Sequence, residues 1–116
     1  MALKPTYNRA NQYRAMWIFV SFDLPVDDKI KRHQYTTFRN FLLKDGFVMM
    51  QYSLYTRPTP SREAAEVHKN RVRRNLPTTG KVMMYHLTDK QFSMMENFYG
   101  VSRSPLPSSP GQLMMF

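Results

Sequence analysis

Apolar residues recur along the middle of this chain with two periods, and the places where the period changes outline its elements. From Met16 to Leu24 the alternation is strict: Met16, Ile18, Val20, Phe22 and Leu24 share one face, and Trp17, Phe19, Ser21 and Asp23 the other. This predicts a first strand, stopped by Pro25. Helical spacing follows, with Ile30, Thr37, Phe38, Phe41 and Leu42 on one stripe. Asp27 or Asp28 stands where an N-cap belongs, and Lys44 and Gly46 mark the end, so a helix is predicted over 28–45. Alternation returns over 47–57, where Val48, Met50, Tyr52 and Leu54 form an apolar face and Phe47, Met49, Gln51, Ser53, Tyr55 and Arg57 a mixed one. A single second strand is expected there, broken by Pro58 and Pro60. Residues 61–76 carry Glu63 and Glu66 early and Arg71, Arg73 and Arg74 late, the charge order that complements a helix dipole, and Pro77 ends this second helix. Strands are expected over 81–88 and again over 91–99, the last closed by Gly100.

Strands and helices in this order predict an α+β fold, with a ferredoxin-like sandwich as the nearest architecture: an antiparallel sheet with two helices on one face. The other face would then carry Ser21, Asp23, Gln51, Ser53 and Arg57 beside Trp17, Phe19 and Phe47. A face this aromatic favours burial, and dimerisation through the sheet side is expected. Outside the domain at 16–100 lie a basic arm at 1–15, with Lys4, Arg9 and Arg14, and a Pro- and Ser-rich linker within 101–116. That linker ends in Leu113, Met114, Met115 and Phe116, an apolar terminus that needs somewhere to dock.

Composition narrows the chemistry. At 116 residues the chain is one domain, and its lack of cysteine removes disulfides, thiolate nucleophiles and thiolate zinc sites together. His33, His68 and His86 fall at no metal-ligand spacing, and His68, near the stripe of Ala65, Val72 and Leu76, reads as a satisfied boundary residue. The longest apolar run is far short of the ~20 residues of a membrane helix, and the first 15 residues lack a secretory h-region. A cytoplasmic protein without membrane association is expected. The formal net charge of +9 favours a polyanion, nucleic acid first, because neutralising phosphates releases condensed counterions. Arg62, Lys69, Arg71, Arg73 and Arg74 on the second helix, with Arg14 of the arm, are the candidate phosphate contacts, and they would be blind to base sequence.

Asp23 is the residue of most chemical interest. A carboxylate ending an apolar strand either caps the turn at Pro25 or meets a cation or hydrogen-bond donors. One aspartate is too few oxygens for a hard divalent cation, but two copies about a two-fold axis would bring two. No Ser, His and Asp arrangement, no glycine-rich phosphate loop and no aromatic RNA-recognition signature offers another site.

The blocks MWIFVSFDLPVDD, FLLKDGF, VMMQYSLYTR, SREAAEVHKNRVRRNLP and GKVMMYHLTDKQF together resemble the second CRISPR-associated adaptation protein, a family of small dimeric endonucleases, over residues 13–100. The resemblance implies a ferredoxin-like homodimer in which Asp23 binds Mg2+ with its mate from the other subunit. It also implies a C-terminal strand that crosses to the partner, a role open to residues 113–116. Family members are described as metal-dependent nucleases on single-stranded RNA or double-stranded DNA, and as the central dimer between integrase dimers during spacer acquisition. On the nuclease reading Ser53 and Arg57 orient the substrate at Asp23. On the scaffold reading the dimer clamps duplex DNA with its basic helix while the integrase, the first adaptation protein, does the chemistry. A toxin-like ribonuclease on the same fold is the alternative outside CRISPR biology.

Overall fold

A strand apolar on both faces belongs in the middle of a sheet, and that is where Met16–Asp23 lies. The structure, a computed structural model, describes residues 15–100. Its elements run β1 Met16–Asp23, α1 Lys29–Lys44, β2 Val48–Gln51, β3 Leu54–Thr59, α2 Arg62–Arg73, β4 Lys81–Thr88 and a short α3 Asp89–Ser93. The sheet order is β2-β3-β1-β4 with every neighbouring pair antiparallel, the ferredoxin-like arrangement expected.

The even-numbered side chains of β1 build the core. Ile18, Val20 and Phe22 are buried with Phe38 and Leu42 of α1, Ala65 and Val72 of α2, and Tyr55 of β3. Phe22 meets Phe38 edge-on at 5.3 Å between ring centroids, an arrangement that aromatic quadrupoles favour. Both long helices start on side-chain caps: Asp28 accepts from the Lys31 amide at 2.8 Å and Ser61 from the Ala64 amide at 3.0 Å. Asp27 instead pairs with the Lys31 ammonium.

Two sequence expectations need correction. The stretch 47–57 is not one strand but a hairpin, turning at Tyr52 and Ser53, with a register shift between Met49 and Gln51. The turn lacks the usual Gly or Asn, and Ser53 takes the left-handed conformation itself, at φ 61°. Its carbonyl accepts from the Phe22 amide at 3.0 Å, which staples the hairpin tip to β1. After the turn and bulge the face parity is the reverse of that expected: Arg57 pairs opposite Ile18 and Tyr55 opposite Val20 on the helix side, and Phe47 is a core residue.

The second correction concerns 91–99, which forms no strand. Thr88 and Gln91 make a capping box, Gln91 Nα donating to the Thr88 hydroxyl and the Gln91 side chain accepting from the Thr88 amide, and this starts α3. Phe92 then stacks on Trp17 at 3.7 Å, and Trp17 Nε1 donates to Asp89 Oδ1 at 2.8 Å. The open face of the sheet is thus covered by aromatic rings at one end. Among the described residues no helix is long and apolar enough to cross a membrane. The basic arm up to Arg14 and the terminal residues Leu113, Met114, Met115 and Phe116 lie outside the described residues.

Candidate active site

Alternation along β1 sends Asp23 to the face away from the helices, at the end of the sheet where the hairpin tip arrives. Its carboxylate is exposed, and no ion pair or hydrogen bond engages it among the described residues. Lys81, the first residue of β4, is its partner in register. Ser21, Gln51, Tyr52, Ser53, Met83 and Tyr85 complete a cleft of about 530 Å3 around the pair. Asp23 and Ser53, separated by 30 positions, are therefore brought together as expected. Lys81 and Tyr52 were not singled out from the sequence for this site, because only the strand register and the hairpin reveal them.

A second close approach holds the carboxylate's backbone. The turn before β4 places Gly80, at φ +83°, so near β1 that a Cβ there would stand 2.7 Å from the Asp23 carbonyl oxygen and 3.0 Å from Leu24 Cα. Asp23 and Lys81 are in this way set by the same turn.

Arg57, expected beside Asp23, is elsewhere. Its Nη1 donates to the Asp45 carbonyl at 2.7 Å, its guanidinium lies across Gly46, and its Nε is buried without a partner. It ties β3 to the end of α1 and does not reach the cleft. Asp45, also absent from the sequence-based candidates, is the centre of that corner: its side chain is only 7% exposed and accepts from His68 Nδ1 at 2.8 Å and Arg71 Nη1 at 2.9 Å. Burial pushes the Asp45 carboxyl up, but the hydrogen bonds and charges of His68 and Arg71 outweigh it and hold the pKa below the ordinary carboxylate value. His68 is thus the satisfied boundary histidine that its place in the sequence suggested.

A lowered native pKa fixes the sign of a pH effect. The Asp45 contribution is complete above the ordinary value of 3.8 and is lost as the pH falls through the lower value of the folded state. Asp45→Asn should cost about 1–3 kcal/mol at neutral pH and flatten the acid limb of stability, read by urea unfolding across the acid range.

The basic helix is partly neutralised from within. Arg71 is held by Asp45, and Arg73 Nη1 donates to Glu66 Oε2 at 2.8 Å and Asn70 Oδ1 at 2.6 Å. Lys69 lies 3.2 Å from His86 Nδ1, and burial, Lys69 and Arg62 together lower the His86 pKa, so the ring faces the ammonium in its neutral form. Arg62 and Arg74 are exposed and enter no salt bridge among the described residues. Because α2 packs against the side of the sheet opposite Asp23, the helix and the cleft face different ways within one chain.

Fold and site define a class: a small, basic, ferredoxin-like protein with a lone free carboxylate at the end of its first strand. The profile of the family described as CRISPR associated protein Cas2 matches residues 16–95. Proteins named CRISPR-associated endoribonuclease Cas2 are similar along nearly the whole chain. That of Flavobacterium psychrophilum is 48% identical over 110 residues, covering 95% of this chain and 96% of the relative. The one from Parvibaculum lavamentivorans is 45% identical, covering 87% and 100%, and the one from Paracidovorax avenae 42% identical, covering 90% and 96%. The chain belongs to the Cas2 family.

Proposed function

We propose that this chain is a divalent-cation-dependent endonuclease that cuts RNA or DNA as a homodimer, and that the same dimer binds duplex DNA and joins CRISPR integrase subunits in spacer acquisition. The observation that carries the reading is the unengaged Asp23 carboxylate in a cleft that also offers a cation and neutral oxygens. The endoribonuclease name borne by the similar proteins supports it.

The residues fit a hard cation, with one condition. Asp23 supplies a carboxylate, and Ser21, Gln51 and Ser53 supply neutral oxygens of the kind Mg2+ accepts. Among the described residues no three His, Cys, Asp or Glu side chains gather to hold a metal, so the partner's copy of Asp23 is needed to raise the carboxylate count. Bound there, Mg2+ would act as a Lewis acid on phosphoryl oxygens. Lys81, beside Asp23, supplies positive charge to a substrate phosphate, and Ser53 orients the strand by hydrogen bonding from the hairpin tip.

The test measures cleavage of single-stranded RNA and double-stranded DNA by the purified chain against Mg2+ concentration, with sedimentation in parallel. Cleavage that rises with Mg2+ and follows the dimer is expected. Cation-independent cleavage, or a monomer that cuts as fast as the dimer, would overturn the metal reading. No cleavage on any substrate, with spacer integration supported once the integrase is added, would replace the nuclease by the scaffold.

A further inference from the structure

Gln34 of α1 stands one turn before the buried Phe38 and is half-buried, at a helical spacing where an apolar residue would be ordinary. Both ends of its side-chain amide engage the turn that precedes β4. Nε2 donates to Thr78 Oγ1 at 2.9 Å, and Oε1 accepts from the Thr78 amide at 3.3 Å and from the Thr79 hydroxyl at 3.2 Å. That turn needs an outside anchor. Among the described residues no backbone–backbone hydrogen bond outside the helices and strands involves residues 76–80, so the Gln34 amide takes the place that a turn's own bonds would fill.

We propose that Gln34 is a positioning residue for the Asp23 cleft: it clasps the 77–80 turn to α1, so that the ends of β1 and β4 keep the separation at which Asp23 and Lys81 stand side by side. The chain of contacts is short. Gln34 rides on a helix fixed in the core by Phe38 and Leu42, and it holds Thr78 and Thr79. The next residue, Gly80, passes so close to β1 that a Cβ there would stand 2.7 Å from the Asp23 carbonyl oxygen, and Lys81 then pairs with Asp23. Released from α1, the turn keeps its covalent length but loses the contact that sets how near Gly80 comes to β1. The side-chain hydrogen bonds of Gln34 all go to the turn among the described residues, so it acts on the cleft through the strand ends alone. The effect on cation binding rests on the metal reading above, whereas the effect on the strand ends does not.

The experiment uses the full chain without substrate. Mn2+, a paramagnetic stand-in for Mg2+, is titrated while its broadening of the Asp23 amide signal is followed by NMR, and amide hydrogen exchange is measured in parallel without metal. Gln34→Met keeps the length of the side chain and removes both polar atoms. It should weaken Mn2+ affinity about fivefold, the scale of one lost hydrogen bond, and speed exchange at residues 22–23 and 81–82 while Ile18 and His86 at the sheet centre exchange as in the parent. Thr78→Val should act in the same direction, and the double variant should go no further than Gln34→Met alone, since both remove one clasp. Thr78→Ser keeps the hydroxyl and should behave as the parent. Parent-like exchange at the strand ends in Gln34→Met, faster exchange spread evenly over the sheet, or effects that add in the double variant would each overturn the assignment. So would local loosening with the parent's Mn2+ affinity, because the clasp would then support the fold without positioning the carboxylate. If the parent itself binds no Mn2+ at Asp23, the metal reading fails, and the exchange pattern alone decides whether the clasp stands.

Discussion

Asp23→Asn should lower cation-dependent cleavage roughly a hundredfold or more while leaving the fold intact. A hard cation contributes several kcal/mol of charge stabilisation to phosphoryl transfer, and each tenfold in rate is about 1.4 kcal/mol. The amide keeps the shape of the carboxylate and removes its charge, so the proposed cation site, built on two such carboxylates, would lose its main ligands in both subunits at once. Stability should move by no more than ~0.5 kcal/mol, because the Asp23 side chain is exposed and engages no ion pair among the described residues. Asp27→Asn is the matched control: it removes an exposed carboxylate four positions along that pairs with Lys31, and it should leave cleavage unchanged. The same two variants assayed for spacer integration with the integrase separate the two roles. Cleavage lost with integration intact would mean that the nuclease chemistry does not serve adaptation. Unchanged cleavage in Asp23→Asn would remove Asp23 from the metal site altogether.

What the chain's pattern shows and what it hides divide along a physical line. The strict alternation of Met16 to Asp23 needs only local backbone geometry, and it places Asp23 on the correct face. The α1 and α2 caps are equally local. The hairpin is different: Tyr52 and Ser53 carry no turn signal, and the left-handed Ser53 is held by a bond from Phe22, thirty-one residues back in the chain. Tertiary contact overrides propensity there, and with it goes the parity that decides where Arg57 points. Lys81 escapes notice for a related reason, since nothing near it in sequence hints that it faces Asp23. The α3 start is a converse case. Thr88 and Gln91 form a legible capping box, but the aromatic alternation around Phe92 competes with it, and the box prevails where Phe92 finds Trp17 to stack on.

Gly80→Ala should combine a stability loss of about 2–4 kcal/mol with a loss of cleavage beyond what the unfolded fraction explains. The backbone reason comes first. At φ +83° a side chain is strained, and this alone costs about 1 kcal/mol. The neighbour then decides the rest: the added Cβ meets the Asp23 carbonyl at 2.7 Å and Leu24 Cα at 3.0 Å, and backbone cannot swing aside as the tip of a side chain can. Relief requires the end of β1 to separate from the start of β4, which moves Asp23 away from Lys81 across the pair that the cleft is built on. Leu24, buried in the core, resists the same shift, so the strain is shared between packing and site. Urea unfolding gives the stability change, and cleavage measured well below the unfolding midpoint gives the second effect. The decisive comparison is the apparent Mg2+ affinity, which a purely global destabilisation leaves unchanged and a displaced Asp23 weakens. An alanine variant that unfolds earlier but keeps the parent's Mg2+ dependence would show that the turn supports the fold without positioning the carboxylate.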